Sequence, residues 1–98
     1  PVVEIEGTRY AINSSSAVIG RSTDADITVA DPGMSRRHLE IQVAGDRVTA
    51  LDLGSTNGFY LNGQKAGNAV DLHHGDIITA GRTTIVFRLA PDTTQARR

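Results

Sequence analysis

The sequence predicts an all-β sandwich, and three observations carry that expectation. Apolar and polar residues alternate over many short runs, most clearly in Leu39-Glu40-Ile41-Gln42-Val43, which is the period of a strand with one face in a core. Gly, Pro, Asn and Asp separate these runs every few positions, as turns do. No long window carries a helical period, because the one candidate, 65–80, is broken by Gly67 and Gly75. About ten short strands so spaced belong to two packed sheets. A chain of 98 residues accommodates one such domain.

Val3 and Ile5 alternate with Glu4 and Glu6 in the first strand, which Gly7-Thr8 breaks. Alternation resumes from Arg9 to Ile12, with Tyr10 and Ile12 sharing a face, and 13–16 is a polar turn. Ala17-Val18-Ile19 reads as a short buried strand ending at Gly20, followed by a small, polar loop over 21–25. Ile27-Thr28-Val29 is the next strand. In Asp31-Pro32-Gly33 the proline presets φ at one corner of a turn, and the glycine permits positive φ at the next. Leu39, Ile41 and Val43 then share one face, Gly45-Asp46 turns the chain, and Thr49, Leu51 and Leu53 share a face of the following strand. Phe59-Tyr60-Leu61 and Lys65-Ala66 flank Asn62-Gly63, the dipeptide that suits a type I′ hairpin because both corners need positive φ. Strands are expected over 69–72 and 77–80, separated by His73-His74-Gly75-Asp76. Gly81-Arg82 turns the chain into 84–89, with Ile85, Phe87 and Leu89 on one face. The domain is expected over 1–90, with polar 91–98 as a frayed tail.

Composition narrows the function. The chain holds 39% hydrophobic residues but only two Phe, two Tyr and no Trp, so Val, Ile, Leu and Ala must build the core. A net charge of −1 gives the whole chain no pull on nucleic acid or anionic membrane, so any anion site is local. Scattered basic residues and scarce aromatic platforms also argue against nucleic acid as partner. Without cysteine there is no disulfide or thiolate metal site, which fits a reducing cytoplasm. No apolar run is long enough to insert into a membrane, and no leader-like segment is present. The start at Pro1 makes a piece of a longer protein the expectation, and the Ala- and Gly-rich style points to a bacterial source. Asn13-Ser14-Ser15 matches a glycosylation sequon, a tripeptide common by chance.

Three loops hold residues suited to chemistry. Arg21 follows Gly20 at a strand end; its guanidinium fork suits phosphate oxygens, although position alone favours a solvated surface arginine. Gly20 serves the backbone through a tight bend or close approach. In Ser35-Arg36-Arg37-His38 the serine hydroxyl can donate to an anion. The two arginines point opposite ways in extended chain, so one of them faces a ligand there. His38 opens an apolar strand, where its imidazole is better placed to tie loops together than to touch ligand. Gly54-Ser55-Thr56-Asn57-Gly58 either cradles an anion or is merely a turn. It lacks the lysine and following helix of a nucleotide-binding loop. His73, His74 and Asp76 read as a polar turn, not a metal site, since adjacent side chains diverge. Ser35, His38 and Asp52 can be written as a triad, but no nucleophile elbow or oxyanion hole accompanies them. No catalytic residue, metal or cofactor is expected.

Taken in order, Ile19-Gly20-Arg21, Ser35-x-x-His38, Gly54-Ser55-Thr56-Asn57-Gly58-x-x-x-Asn62-Gly63 and Leu72-x-x-Gly75-Asp76-x-Ile78 resemble the forkhead-associated (FHA) family over most of the chain. The resemblance implies a β-sandwich of about eleven mostly antiparallel strands whose loops at one end read phosphothreonine. It implies that Arg21 and Ser35 grip the phosphate, that Arg36 adds phosphate or peptide contacts, and that Thr56 makes a contact beside the phosphothreonine. Asn57 would bond the peptide backbone, Gly20, His38 and Gly58 would hold the loops in shape, and Asn62 would lie close to the site. The implied partner is a phosphothreonine-containing protein, either a substrate of a Ser/Thr kinase or the kinase itself. The rival expectation is a phosphate-independent interaction domain that binds through the sandwich surface.

Overall fold

A computed structural model describes residues 1–89; the tail expected over 91–98 lies outside the described residues. Eleven strands form, and among the described residues there is no helix, hence none long and apolar enough to cross a membrane. The strands are β1 (Val2–Ile5), β2 (Thr8–Ala11), β3 (Ser16–Gly20), β4 (Ile27–Thr28), β5 (Leu39–Ala44), β6 (Arg47–Asp52), β7 (Tyr60–Leu61), β8 (Gln64–Lys65), β9 (Ala69–Asp71), β10 (Ile77–Ala80) and β11 (Thr83–Arg88). They make a six-stranded sheet, β2-β1-β11-β10-β7-β8, and a five-stranded sheet, β4-β3-β5-β6-β9. All strand pairs are antiparallel except β3 with β4.

The core lies between the sheets. Val3, Ile78, Ile85 and Phe87 face Ile19, Leu39, Ile41 and Ala50, all fully buried. Two further apolar side chains, Met34 and Phe59, enter from loops and are 2% and 1% exposed. Each removes apolar surface worth about 1.5–3 kcal/mol from water. Both sit one position from a residue of interest, Met34 before Ser35 and Phe59 after Gly58, so burial pins those loops to the core.

Three expectations are corrected by the structure, and one turn closes without a permitted positive φ. The core face of β6 is Val48 and Ala50, not Thr49, Leu51 and Leu53. Register explains this: Ile41 pairs with Ala50 and Val43 with Val48, and opposed residues share a face. Leu89 does not continue the buried face of Ile85 and Phe87; it is 44% exposed, because β11 ends at Arg88 and the chain leaves the sheet. Gly33 is not among the residues with positive φ. The Asp31–Met34 turn is closed instead by the Met34 N–H on the Asp31 carbonyl (2.9 Å) and the Gly33 N–H on the Asp31 carboxylate (2.8 Å). Finally, Asn62 stands away from the phosphate-site loops, as described below. The Asn62-Gly63 hairpin itself forms as expected, with φ of 51° and 87°.

Candidate phosphate-binding groove

Strand order brings the three loops together. Ile19 on β3 pairs with Leu39 on β5, and Leu39 pairs with Asp52 on β6. Because both pairings are antiparallel, the exit of β3, the entry of β5 and the exit of β6 lie side by side. Arg21, Ser35, Arg36, Thr56 and Asn57 therefore line one groove, together with Pro32, Gly33 and Met34. Arg37 is not among the lining residues, in keeping with the opposed directions of neighbours in extended chain. Among the described residues no carboxylate lines the groove.

The walls are held by hydrogen bonds that leave the outward donors available. The Arg21 N–H donates to the Ser35 carbonyl (3.0 Å), and its Nε donates to the Met34 carbonyl (3.1 Å). That brace engages Nε alone, and Arg21 is exposed at the groove. The Thr56 N–H donates to Ser35 Oγ (3.1 Å), which fixes the hydroxyl by its lone pair and leaves its hydrogen to donate. Asn57 is exposed.

The supporting residues act on the backbone. A Cβ on Gly20 would lie 2.0 Å from the Arg36 carbonyl oxygen and 2.7 Å from its carbon, so only glycine lets β3 pass the Ser35–Arg37 loop. His38 is fully buried. Its Nδ1 accepts from the Ser35 N–H (3.0 Å), so the proton sits on Nε2, which donates to the Gly58 carbonyl (2.6 Å). One imidazole thereby joins the two loops. Both ring nitrogens are taken by backbone, and the Asp52 carboxylate accepts from the Gly54 and Ser55 amides (3.2 Å each). The Ser35, His38, Asp52 triad is thus not assembled.

Asn62 lies elsewhere. Its Nδ2 donates to Asp76 (3.1 Å) and its Oδ1 accepts the Ile77 N–H (2.9 Å). It therefore sits at the start of β10, whereas the groove loops lie beyond the end of that strand, about 10 Å away at ~3.3 Å per residue. The amide ties the hairpin to the 73–76 turn because a type I′ corner leaves its side chain beside the neighbouring strand. In that turn the histidines diverge: the His73 N–H bonds Asp76 (2.8 Å), and His74 Nδ1 accepts the Leu89 N–H (3.1 Å).

Two residues given no site role by sequence reasoning, Ser55 and Asp31, shape the groove. Ser55 donates from Oγ to Asp52 and accepts the Gly58 N–H (2.8 Å), which curls the Thr56-Asn57 tip. The Asp52-x-x-Ser55 spacing, typical of side-chain-capped turns, was the available signal. Asp31, 5% exposed, accepts the Arg82 N–H (2.7 Å) and the Thr83 hydroxyl (2.6 Å). The Thr83 hydrogen bond holds the Asp31 carboxyl below its usual range, with help from the Gly33 and Arg82 amides and against the effect of burial.

Known proteins resemble this chain in sequence and fold. The profile of the FHA domain matches residues 17–81. The chain is 37% identical over 81 residues to the oxoglutarate dehydrogenase inhibitor of Corynebacterium jeikeium, covering 83% of this chain and 56% of that protein. It is 35% identical over 85 residues to the glycogen accumulation regulator GarA of Mycolicibacterium smegmatis, covering 87% and 53%. A solved structure from a structural and functional analysis of phosphothreonine-dependent FHA domain interactions superposes with a TM-score of 0.86 at 35% identity, over 92% of this chain and 96% of that one. The chain spans about half the length of the curated relatives it matches.

Proposed function

The chain belongs to the FHA domain family, and we propose that it uses this groove to dock on proteins that a Ser/Thr kinase has phosphorylated on threonine. The observation that carries the proposal is the convergence of Arg21, Ser35, Arg36, Thr56 and Asn57 on one groove that no carboxylate lines among the described residues. A phosphothreonine brings about −1.5 to −2 charges and three acceptor oxygens at neutral pH. The Arg21 fork and the Ser35 hydroxyl meet those oxygens with charge-assisted hydrogen bonds, and Arg36 adds a second positive charge. Thr56 contacts the ligand beside the phosphate, and Asn57 pairs with the peptide backbone through an amide that both donates and accepts.

In this reading the chain is a binding module and not an enzyme, it needs no cofactor, and it works in the cytoplasm. Its partner is a kinase substrate or the kinase itself. A few charge-assisted contacts at one corner of a near-neutral domain give micromolar dissociation constants, about −8 kcal/mol. Burying the threonine methyl adds about 0.8 kcal/mol over phosphoserine, a factor of roughly four.

Calorimetric titration with a phosphothreonine peptide library tests this, with phosphoserine and unphosphorylated controls and the Arg21→Ala variant. Micromolar, threonine-selective binding that weakens 10- to 100-fold in the variant is expected, about 1.5–3 kcal/mol for a hydrogen bond to a charged group. Binding that ignores phosphate, or that survives in Arg21→Ala, would defeat the proposal and move the partner to a face of the sandwich.

A further inference from the structure

We propose that Asp31 is a positioning residue of the ligand groove: its buried carboxylate fastens the loop that carries Ser35 to the turn that carries Arg82, and so fixes the wall met by ligand residues that flank the phosphothreonine. This rests on the phosphothreonine reading above and extends it beyond the phosphate contacts.

The carboxylate is held by donors from two directions. Oδ1 accepts the Gly33 N–H (2.8 Å) within its own loop. Oδ2 accepts the Arg82 N–H (2.7 Å) and the Thr83 hydroxyl (2.6 Å), which lie 51 and 52 positions along the chain and in the facing sheet's turn. Charge-assisted bonds of this kind are about twice as strong as neutral ones. The backbones meet glycine to glycine so that the carboxylate can reach. A Cβ on Gly81 would lie 2.7 Å from Asp31 Oδ2 and 2.8 Å from the Gly33 carbonyl carbon, and one on Gly33 would lie 3.3 Å from the Gly81 Cα.

This junction stands where two grooves join. Gly33 and Asn57 line the phosphate groove and also a second groove, walled by Tyr60, Thr79 and Arg82. A peptide held at the phosphate and bonded by Asn57 has the second groove as its continuation. If the fastening is lost, the Gly81-Arg82 wall is free to move. The Arg21–Met34 and His38–Gly58 bonds that shape the first groove involve none of these atoms. A carboxylate is required and not merely an acceptor, because asparagine offers one oxygen to donors that approach from both sides. One N–H, of Gly33 or Arg82, would be left facing an NH₂ group.

The test titrates two ligands, by NMR, into the wild type, Asp31→Asn and Thr83→Val. One ligand is phosphothreonine capped at both ends; the other is a phosphothreonine peptide extended on both flanks. Asp31→Asn is expected to weaken the extended peptide about tenfold and the capped amino acid less than twofold. Thr83→Val keeps the carboxylate and the buried shape, and decides the matter if Asp31→Asn does not fold; it should show a smaller loss with the same pattern. In the ligand-free Asp31→Asn chain, amide exchange should speed up at Gly33 and Arg82 but not at Gly58. Equal weakening of both ligands would mean that Asp31 acts through general stability or the phosphate grip, and would overturn the proposal, as would unchanged affinity for both. A wild-type chain that binds neither ligand would overturn the phosphothreonine reading, and the positioning role with it.

Discussion

Arg21 is useful in the groove because one of its nitrogens is already engaged. With Nε on the Met34 carbonyl, the guanidinium keeps a fixed direction, and less rotamer freedom is lost when its remaining donors meet a ligand. Lysine retains the charge but cannot brace itself and donate as a fork at once. Arg21→Lys should therefore recover only part of what Arg21→Ala loses, remaining about tenfold weaker than the wild type, as one charge-assisted bond and its brace would require. Isothermal titration with one phosphothreonine peptide decides this, and wild-type affinity in the lysine variant would reduce Arg21 to a simple point charge. The residue type was legible in the sequence, since arginine after glycine at a strand end suits an anion. The brace was not, because the Met34 carbonyl is 13 positions away and nothing local announces it. His38 was legible for the opposite reason: an imidazole opening an apolar strand has few options besides tying loops together.

At the level of elements, the site depends on how closely β3 passes the entry of β5. Gly20 faces the Arg36 carbonyl with no room for a methyl group, and the obstacle is backbone that cannot rotate away. Gly20→Ala should cost about 1–3 kcal/mol, the usual penalty of overpacking, and lower the thermal midpoint by about 4–8 °C for each kcal/mol. It should weaken phosphopeptide binding as well, because the displaced backbone lies between Ser35 and His38. A melting curve within a degree of wild type would show that the loop yields freely. Alternation predicted β5 well because Leu39, Ile41 and Val43 are large and their neighbours polar. It misassigned β6 because Ala50 is small, so the eye follows Leu51 and Leu53, while the register set by Ile41↔Ala50 decides the face. The Asn62 placement failed similarly. The hairpin was legible from its dipeptide, but the strand its amide bonds to is fixed by sheet order, which short-range pattern does not encode.

Across the whole molecule, folding and binding should respond to different stretches of pH. Among the described residues, two carboxyls are held below their usual range: Glu4, first by its hydrogen bond to Arg9 and then by Arg88, and Asp31, first by Thr83. Groups whose folded pKa is depressed stabilise the fold fully above the unfolded value, about 4 for carboxyls, and lose that contribution as pH falls through the folded value. Glu4 lies in an exposed ion pair and adds little, so Asp31 carries most of the effect, and the contribution of these two groups is undiminished from pH 7 down to pH 5. The ligand changes within that interval, since its second phosphate ionisation lies near pH 6. The Arg21 and Arg36 side chains favour the dianion, whose fraction drops about tenfold between pH 7 and pH 5. Affinity for a phosphothreonine peptide should fall by about that factor, while the share of stability that comes from Glu4 and Asp31 is unchanged over that interval and declines only below about pH 4. Paired titrations and urea melts at pH 7, 6, 5 and 4 separate the two curves. If affinity and stability instead fell together across this range, groove and fold would share one titrating group, and selection of the phosphate dianion would not be the source of the pH dependence.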